Sequence, residues 1–204
     1  GDLLFSRAFA ELASGGAVED VRALSGASSA LASGELLQRA DAWNARVPLA
    51  RYLRRCELKT GSLFEAATRL GALATDGPAD ALAAFGSRIG LAFQLLDDVL
   101  DVAGPAERTG KARGTDLLDG TVTLPLILAR ERDAGLAELD LRALRTAAGA
   151  EAVCDRIAAT GALDAAKQQA LAIVTDAKAA LPDLPSEQRS ALQLVADGVV
   201  ERYS

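Results

Sequence analysis

Apolar residues recur every three or four positions along most of this chain: over 3–12, 21–43, 49–73, 81–102 and 124–128, then in shorter elements from 136 to the end. That spacing returns side chains to one side of a 3.6-residue helix and does not line one face of a strand. Ala and Leu dominate, β-branched residues are scattered and aromatics make up only 4%, so propensity also favours helix. The breaks are short and carry helix-ending chemistry: "SGG" at 14–16, "RVP" at 46–48, "TDGP" at 75–78 and "LPDLP" at 181–185. The chain therefore reads as all-α, and 204 residues suit one domain or two small ones.

Charge narrows the partners. Acidic residues number 28 against 22 basic, the net charge is -6, and no run of Lys or Arg occurs, which argues against nucleic acid. A small anion in a local basic pocket remains compatible. Cys56 and Cys154 lie far apart inside helical patterns, as buried thiols in a reducing compartment would, so a cytoplasmic location is expected. No apolar stretch reaches the roughly 18 to 20 residues of a transmembrane segment, and no signal peptide is visible. There is no initiator Met and no start-like region before "GDLLFSRAFAELA", so the chain is expected to begin within a helix of something larger.

One stretch resists a purely structural reading. In "FQLLDDVLD", residues 93–101, helical spacing puts Gln94, Asp97, Asp98 and Asp101 in one polar stripe among Leu95, Leu96, Val99 and Leu100. Like charges a turn apart repel. Gly104 and Pro105 end the helix, so the carboxylates also sit at the negative end of its dipole. A solvated face is the ordinary explanation for acidic pairs, but apolar neighbours leave that face little width and no Lys or Arg stands at pairing distance along the helix. A divalent cation would resolve the conflict. Hard oxygen ligands suit Mg²⁺, which keeps several waters and completes its shell with phosphate oxygens, so a phosphorylated substrate is expected with it.

Two lysines could hold that substrate. Lys111 lies between Gly110 and Gly114 in "TGKARG", within a polar, glycine-rich loop over 104–121 that is long enough to suggest function. Lys59 and Thr60 precede a Gly61–Ser62 pair inside a helical pattern, where a kink would free backbone carbonyls. The structural alternative is a snorkelling lysine beside a glycine that permits close packing.

Six stretches in order, "GDLLFSRAF" (1–9), "GELLQ" (34–38), "KTGSLF" (59–64), "GLAFQLLDDVLD" (90–101), "TGKARGTDLLDGTVTLP" (109–125) and "VADGVVERYS" (195–204), resemble the trans-isoprenyl diphosphate synthases of the polyprenyl synthetase family. "FQLLDDVLD" is similar to that family's second aspartate-rich motif. The resemblance covers the whole chain, read as the C-terminal part of one synthase domain over 1–204. It implies a helical bundle around a deep cavity, in which Mg²⁺ and an allylic prenyl diphosphate bind and isopentenyl diphosphate is added. By the same resemblance Asp97 is a direct metal ligand, with Asp98 and Asp101 helping directly or through water. Lys59 and Lys111 hold the allylic diphosphate, while carbonyls at Lys59 and Thr60, with Gln94, face the developing cation. A homodimer is implied too.

Two departures accompany it. Thr121 stands where the family often has lysine, and the family's first aspartate-rich motif falls before the equivalent of Gly1, so these 204 residues alone are expected not to turn over. A class I terpene cyclase would ionise the same substrates, but "GKxxGxD" and "TLP" following the Asp cluster and the low aromatic content disfavour it. A non-catalytic subunit of a heteromeric synthase is a further alternative, against which stand Lys59, Lys111, Asp97, Asp98 and Asp101, since a scaffold has no use for clustered carboxylates.

Overall fold

The computed structural model describes residues 2–15, 17–104 and 113–201, and these form helices joined by short connections, with no strand among them. In chain order they are α1 (Asp2–Gly15), α2 (Val18–Asp41), α3 (Leu49–Cys56), a π-helical turn (Glu57–Gly61), α4 (Ser62–Leu73) and α5 (Ala79–Ala103). Beyond the loop come a short α6 (Thr115–Leu118), α7 (Leu124–Arg130), α8 (Ala134–Ala137), α9 (Ala147–Ala159), α10 (Ala162–Ala179) and α11 (Ser186–Glu201).

The all-α expectation holds, and the breaks fall where glycine and proline put them. Three local expectations need correction. The helix read through 43 ends at Asp41; Trp43 has φ 65 and its N–H donates 2.8 Å to the carbonyl of Gly120, so a tertiary contact ends the helix before the apolar pattern does. The C-terminal third is made chiefly of three long helices, α9 to α11, rather than short pieces. The irregularity near Gly61 is a π turn rather than a Gly–Ser kink: the N–H of Ser62 reaches back five residues to the Glu57 carbonyl, accommodating one residue more than a regular helix would.

α5 organises the bundle. Phe85, Ile89, Ala92, Leu96 and Val99 are buried at helical spacing, joined by Leu95 and Val102, and the helix lies against α4 on one side and α10 on another. α10 meets it through Ala162, Ala166, Ala170, Val174 and Ala177, all buried; four of these side chains are single methyls, which let the two backbones approach closely. Glycine does the same on the opposite side. A Cβ at Gly90 would lie 2.9 Å from the Gly61 Cα, and one at Gly34 would lie 2.7 Å from the Lys59 backbone nitrogen. α5, the π turn and α2 are thus drawn together at the point where the polar residues gather.

Candidate active site

The polar stripe of α5 forms as its spacing requires, and hydrogen bonds hold it in place. Gln94 Nε2 donates to Asp98 Oδ1 at 2.9 Å, and Thr60 Oγ1, from the π turn, donates to Gln94 Oε1 at 2.6 Å. On the other side of the carboxylate, the hydroxyl of Tyr52 on α3 donates to Asp98 Oδ2 at 2.5 Å. Asp98 is buried at 4% exposure with a donor on each oxygen, whereas Asp97 is exposed and Asp101 is half-buried. One helix face therefore presents a locked carboxylate between two more accessible ones.

A cavity of about 290 Å³ opens over this face. α5 contributes Gln94, Asp97 and Asp98; α3 contributes Arg55 and Cys56; the π turn contributes Lys59 and α2 contributes Gln38. Asp116, Thr121 and Thr123 close it from the chain beyond the loop. That chain is folded back onto the end of α5: the N–H of Gly114 donates 2.9 Å to the Asp101 carbonyl and the N–H of Asp116 donates 3.3 Å to Asp101 Oδ2. Gly114, at φ 71, suits a tight reversal, and a Cβ there would lie 2.9 Å from Cys154 Sγ. A larger cavity of about 360 Å³ lies between α2 and α4, lined by Arg22, Arg54 and Arg69. Those cations are already paired with Glu19, Glu57 and Asp80, so the chemistry concentrates at the carboxylates.

The electrostatics are strained toward excess negative charge. Burial, then repulsion from Asp98, Asp101 and Asp97, pushes the Asp116 carboxyl up to about 7, opposed by Lys59. Burial likewise lifts Asp98 to about 6, against the hydrogen bonds from Tyr52 and Gln94 and the charge of Arg55. Carboxylates raised in this way are those that a bound cation would return to the ionised form. Among the described residues no three such side chains converge tightly enough to hold a metal ion by themselves.

Of the residues singled out from sequence, the fold brings Lys59, Thr60, Gln94, Asp97 and Asp98 to one place, with Asp101 beside Asp116. Lys59 Nζ spans to α2, 3.0 Å from Gln38 Oε1 and 2.9 Å from Glu35 Oε1, and is not a bare cation in this arrangement. Lys111 lies outside the described residues. Sequence reasoning passed over Tyr52, Arg55, Asp116 and Gln38. The first two carry a signal: Tyr52, Arg55 and Lys59 stand at i, i+3 and i+7, one side of a helix. Gln38 and Asp116 lie inside quoted motifs without a role of their own.

The family model of polyprenyl synthetases matches residues 1–159. The chain belongs to this family. Curated relatives include the geranylgeranyl diphosphate synthase of Methanosarcina mazei, 34% identical over 99% of this chain and 65% of the relative. The octaprenyl diphosphate synthase of Escherichia coli is also 34% identical, again over 99% of this chain and 65% of the relative. Among solved structures, the polyprenyl synthase of Caulobacter crescentus, complexed with calcium and isoprenyl diphosphate, superposes with a TM-score of 0.91 at 36% identity, over 100% of this chain and 65% of that one. The chain thus spans just under two thirds of the length of these synthases, and its helical bundle is the polyprenyl synthase fold.

Proposed function

We propose that the protein is a trans-prenyltransferase that condenses an allylic prenyl diphosphate with isopentenyl diphosphate, using Mg²⁺, within a single synthase domain. The observation that carries this is the cavity wall itself: accessible Asp97 and cationic Lys59 flank a carboxamide, Gln94, that is fixed at both ends. Exposed carboxylate oxygens, together with carboxyls raised by burial and then by their neighbours' charge, fit a hard divalent cation, and the calcium in the Caulobacter crescentus relative supports that class of metal. When bound, Mg²⁺ supplies positive charge that stabilises the leaving diphosphate.

The chain's own residues do the rest. Asp97 and Asp101 offer oxygens to the metal, and Asp98, with each oxygen already accepting a hydrogen bond, orients Gln94 and the stripe around it. Lys59 exchanges its contact with Glu35 for phosphate oxygens, and Lys111 is assigned to the same diphosphate. Gln94 Oε1 keeps a lone pair beyond the one Thr60 occupies, and with the backbone carbonyls of the π turn it faces the allylic cation. The released diphosphate is the natural base for proton removal after addition, which fits a site that presents no His.

We further propose a homodimer and a cytoplasmic location. Leu3, Leu4 and Phe5 on α1 and Val18 and Leu36 on α2 expose apolar surface that a second copy would cover, and the two buried free thiols fit a reducing compartment. The test of the main proposal is calorimetric titration of the chain with Mg²⁺ and farnesyl diphosphate, beside a turnover assay with isopentenyl diphosphate in which these 204 residues alone should be inactive. Because the carboxylates alone provide too few ligands, Mg²⁺ should bind only when the diphosphate is present, and Asp97→Asn should abolish that dependence while leaving the melting temperature nearly unchanged. An Asp97→Asn protein with wild-type Mg²⁺ dependence would sink the assignment.

A further inference from the structure

Among the described residues of the cavity wall, Arg55 is the one cation that neither the family motifs nor the mechanism above employs. It is buried at 3% exposure, yet among the described residues its guanidinium makes one hydrogen bond, from Nη2 to the Val122 carbonyl at 2.7 Å. Its guanidinium carbon lies 5.2 Å from the centre of the Tyr52 ring, a stacking that fixes the fork without neutralising it. Among the described residues no carboxylate stands at ion-pair distance; Asp98 feels the Arg55 charge from farther off, with its own oxygens engaged by Tyr52 and Gln94. A buried charge with so few partners is costly unless something brings it a counter-charge. The remaining guanidinium nitrogens are not among the buried unpartnered atoms, and the cavity that Arg55 lines together with Lys59 and the hydroxyl-bearing Thr121 and Thr123 gives them access to a ligand.

We infer that Arg55 is an anion-binding residue of this cavity, its guanidinium gripping phosphate oxygens of a diphosphate beside Lys59. The planar fork suits two oxygens of one phosphate, a recognition that the point charge of lysine does not reproduce. The two threonine hydroxyls can donate to the same group. The identity of the ligand as a diphosphate rests on the prenyltransferase reading; the grip itself rests on the buried, under-partnered guanidinium.

The experiment compares the protein with its Arg55→Gln and Arg55→Lys variants, titrating inorganic diphosphate and, separately, farnesyl diphosphate, each with Mg²⁺. Arg55→Gln should bind both roughly ten- to a hundredfold more weakly, the loss expected for a charge-assisted hydrogen bond. Arg55→Lys, which keeps the charge and loses the fork, should fall between. Arg55→Gln binding as tightly as wild type would overturn the role of Arg55 and leave the prenyltransferase reading standing. A wild type that binds inorganic diphosphate but not the allylic one, with the Arg55 dependence intact, would uphold the grip and overturn the prenyl substrate; binding of neither would overturn both. Should Arg55→Gln fail to fold, the wild-type protein still decides. The Nε–H resonance of Arg55, assigned by its loss in Arg55→Lys, should move saturably as diphosphate is added, and a resonance that stays in place overturns the inference.

Discussion

Tyr52 has no exposure at all, and burial together with the negative charge of Asp98 keeps its hydroxyl protonated by pushing its pKa far upward. It is therefore a permanent donor to Asp98 Oδ2, and the carboxylate is held in the orientation that fixes Gln94. Tyr52→Phe removes one oxygen and leaves the rest of the ring in place. The orphaned carboxylate oxygen should cost about 1.5–3 kcal/mol of stability, as for other hydrogen bonds to a charged group. Urea denaturation would read it, and a loss below about 0.5 kcal/mol would mean that the phenol does not anchor the site.

At the scale of elements, the approach of α5 to the π turn decides the geometry. A methyl at Gly90 would sit 2.9 Å from the Gly61 Cα and 2.9 Å from the Phe64 Cβ, so a backbone rather than a flexible side chain must give way. Gly90→Ala should destabilise by about 1–3 kcal/mol, as overpacking does. Gly71→Ala on α4, where nothing lies within 4 Å of the added carbon, should be neutral or stabilising through helix propensity. Thermal melts of the two variants make the comparison, and equal effects would show that the packing argument is misplaced. These elements were largely legible in the sequence because three-and-four spacing with terminal glycine or proline is a local signal. The acidic stripe was legible for the same reason, as were Lys59 and Thr60. What spacing cannot reveal is contact between distant segments: the Trp43 turn answers to Gly120, and Tyr52 and Arg55 acquire their meaning from Asp98 and Val122, 46 and 67 positions further on. The π turn escaped for a different reason, since a Gly–Ser pair inside a helical pattern reads equally well as a kink.

Across the whole molecule, one continuous apolar core joins α3 to α11, and both thiols belong to it. Burial pushes the Cys56 thiol up to about 12 and the Cys154 thiol up to about 11, so almost no thiolate exists at neutral pH in the folded protein. Alkylation of the two cysteines should be slow and should accelerate together with denaturant, tracking global unfolding. Early labelling of Cys154 alone would instead show that the segment around Gly114, packed on its sulfur, lifts independently. The π turn carries a consequence of another kind at this scale. The turn takes up a single surplus residue while the helices before and after it keep their facing sides, so α3 still presents Tyr52 to Asp98 and α4 still meets α5. Deleting one residue from 57–61 would restore a regular helix, but it would shift Lys59 away from Gln38 and Glu35 and Thr60 away from Gln94. A regular helix would be the simpler fold for this segment, and the surplus residue is what sets Lys59 and Thr60 against their partners on α2 and α5.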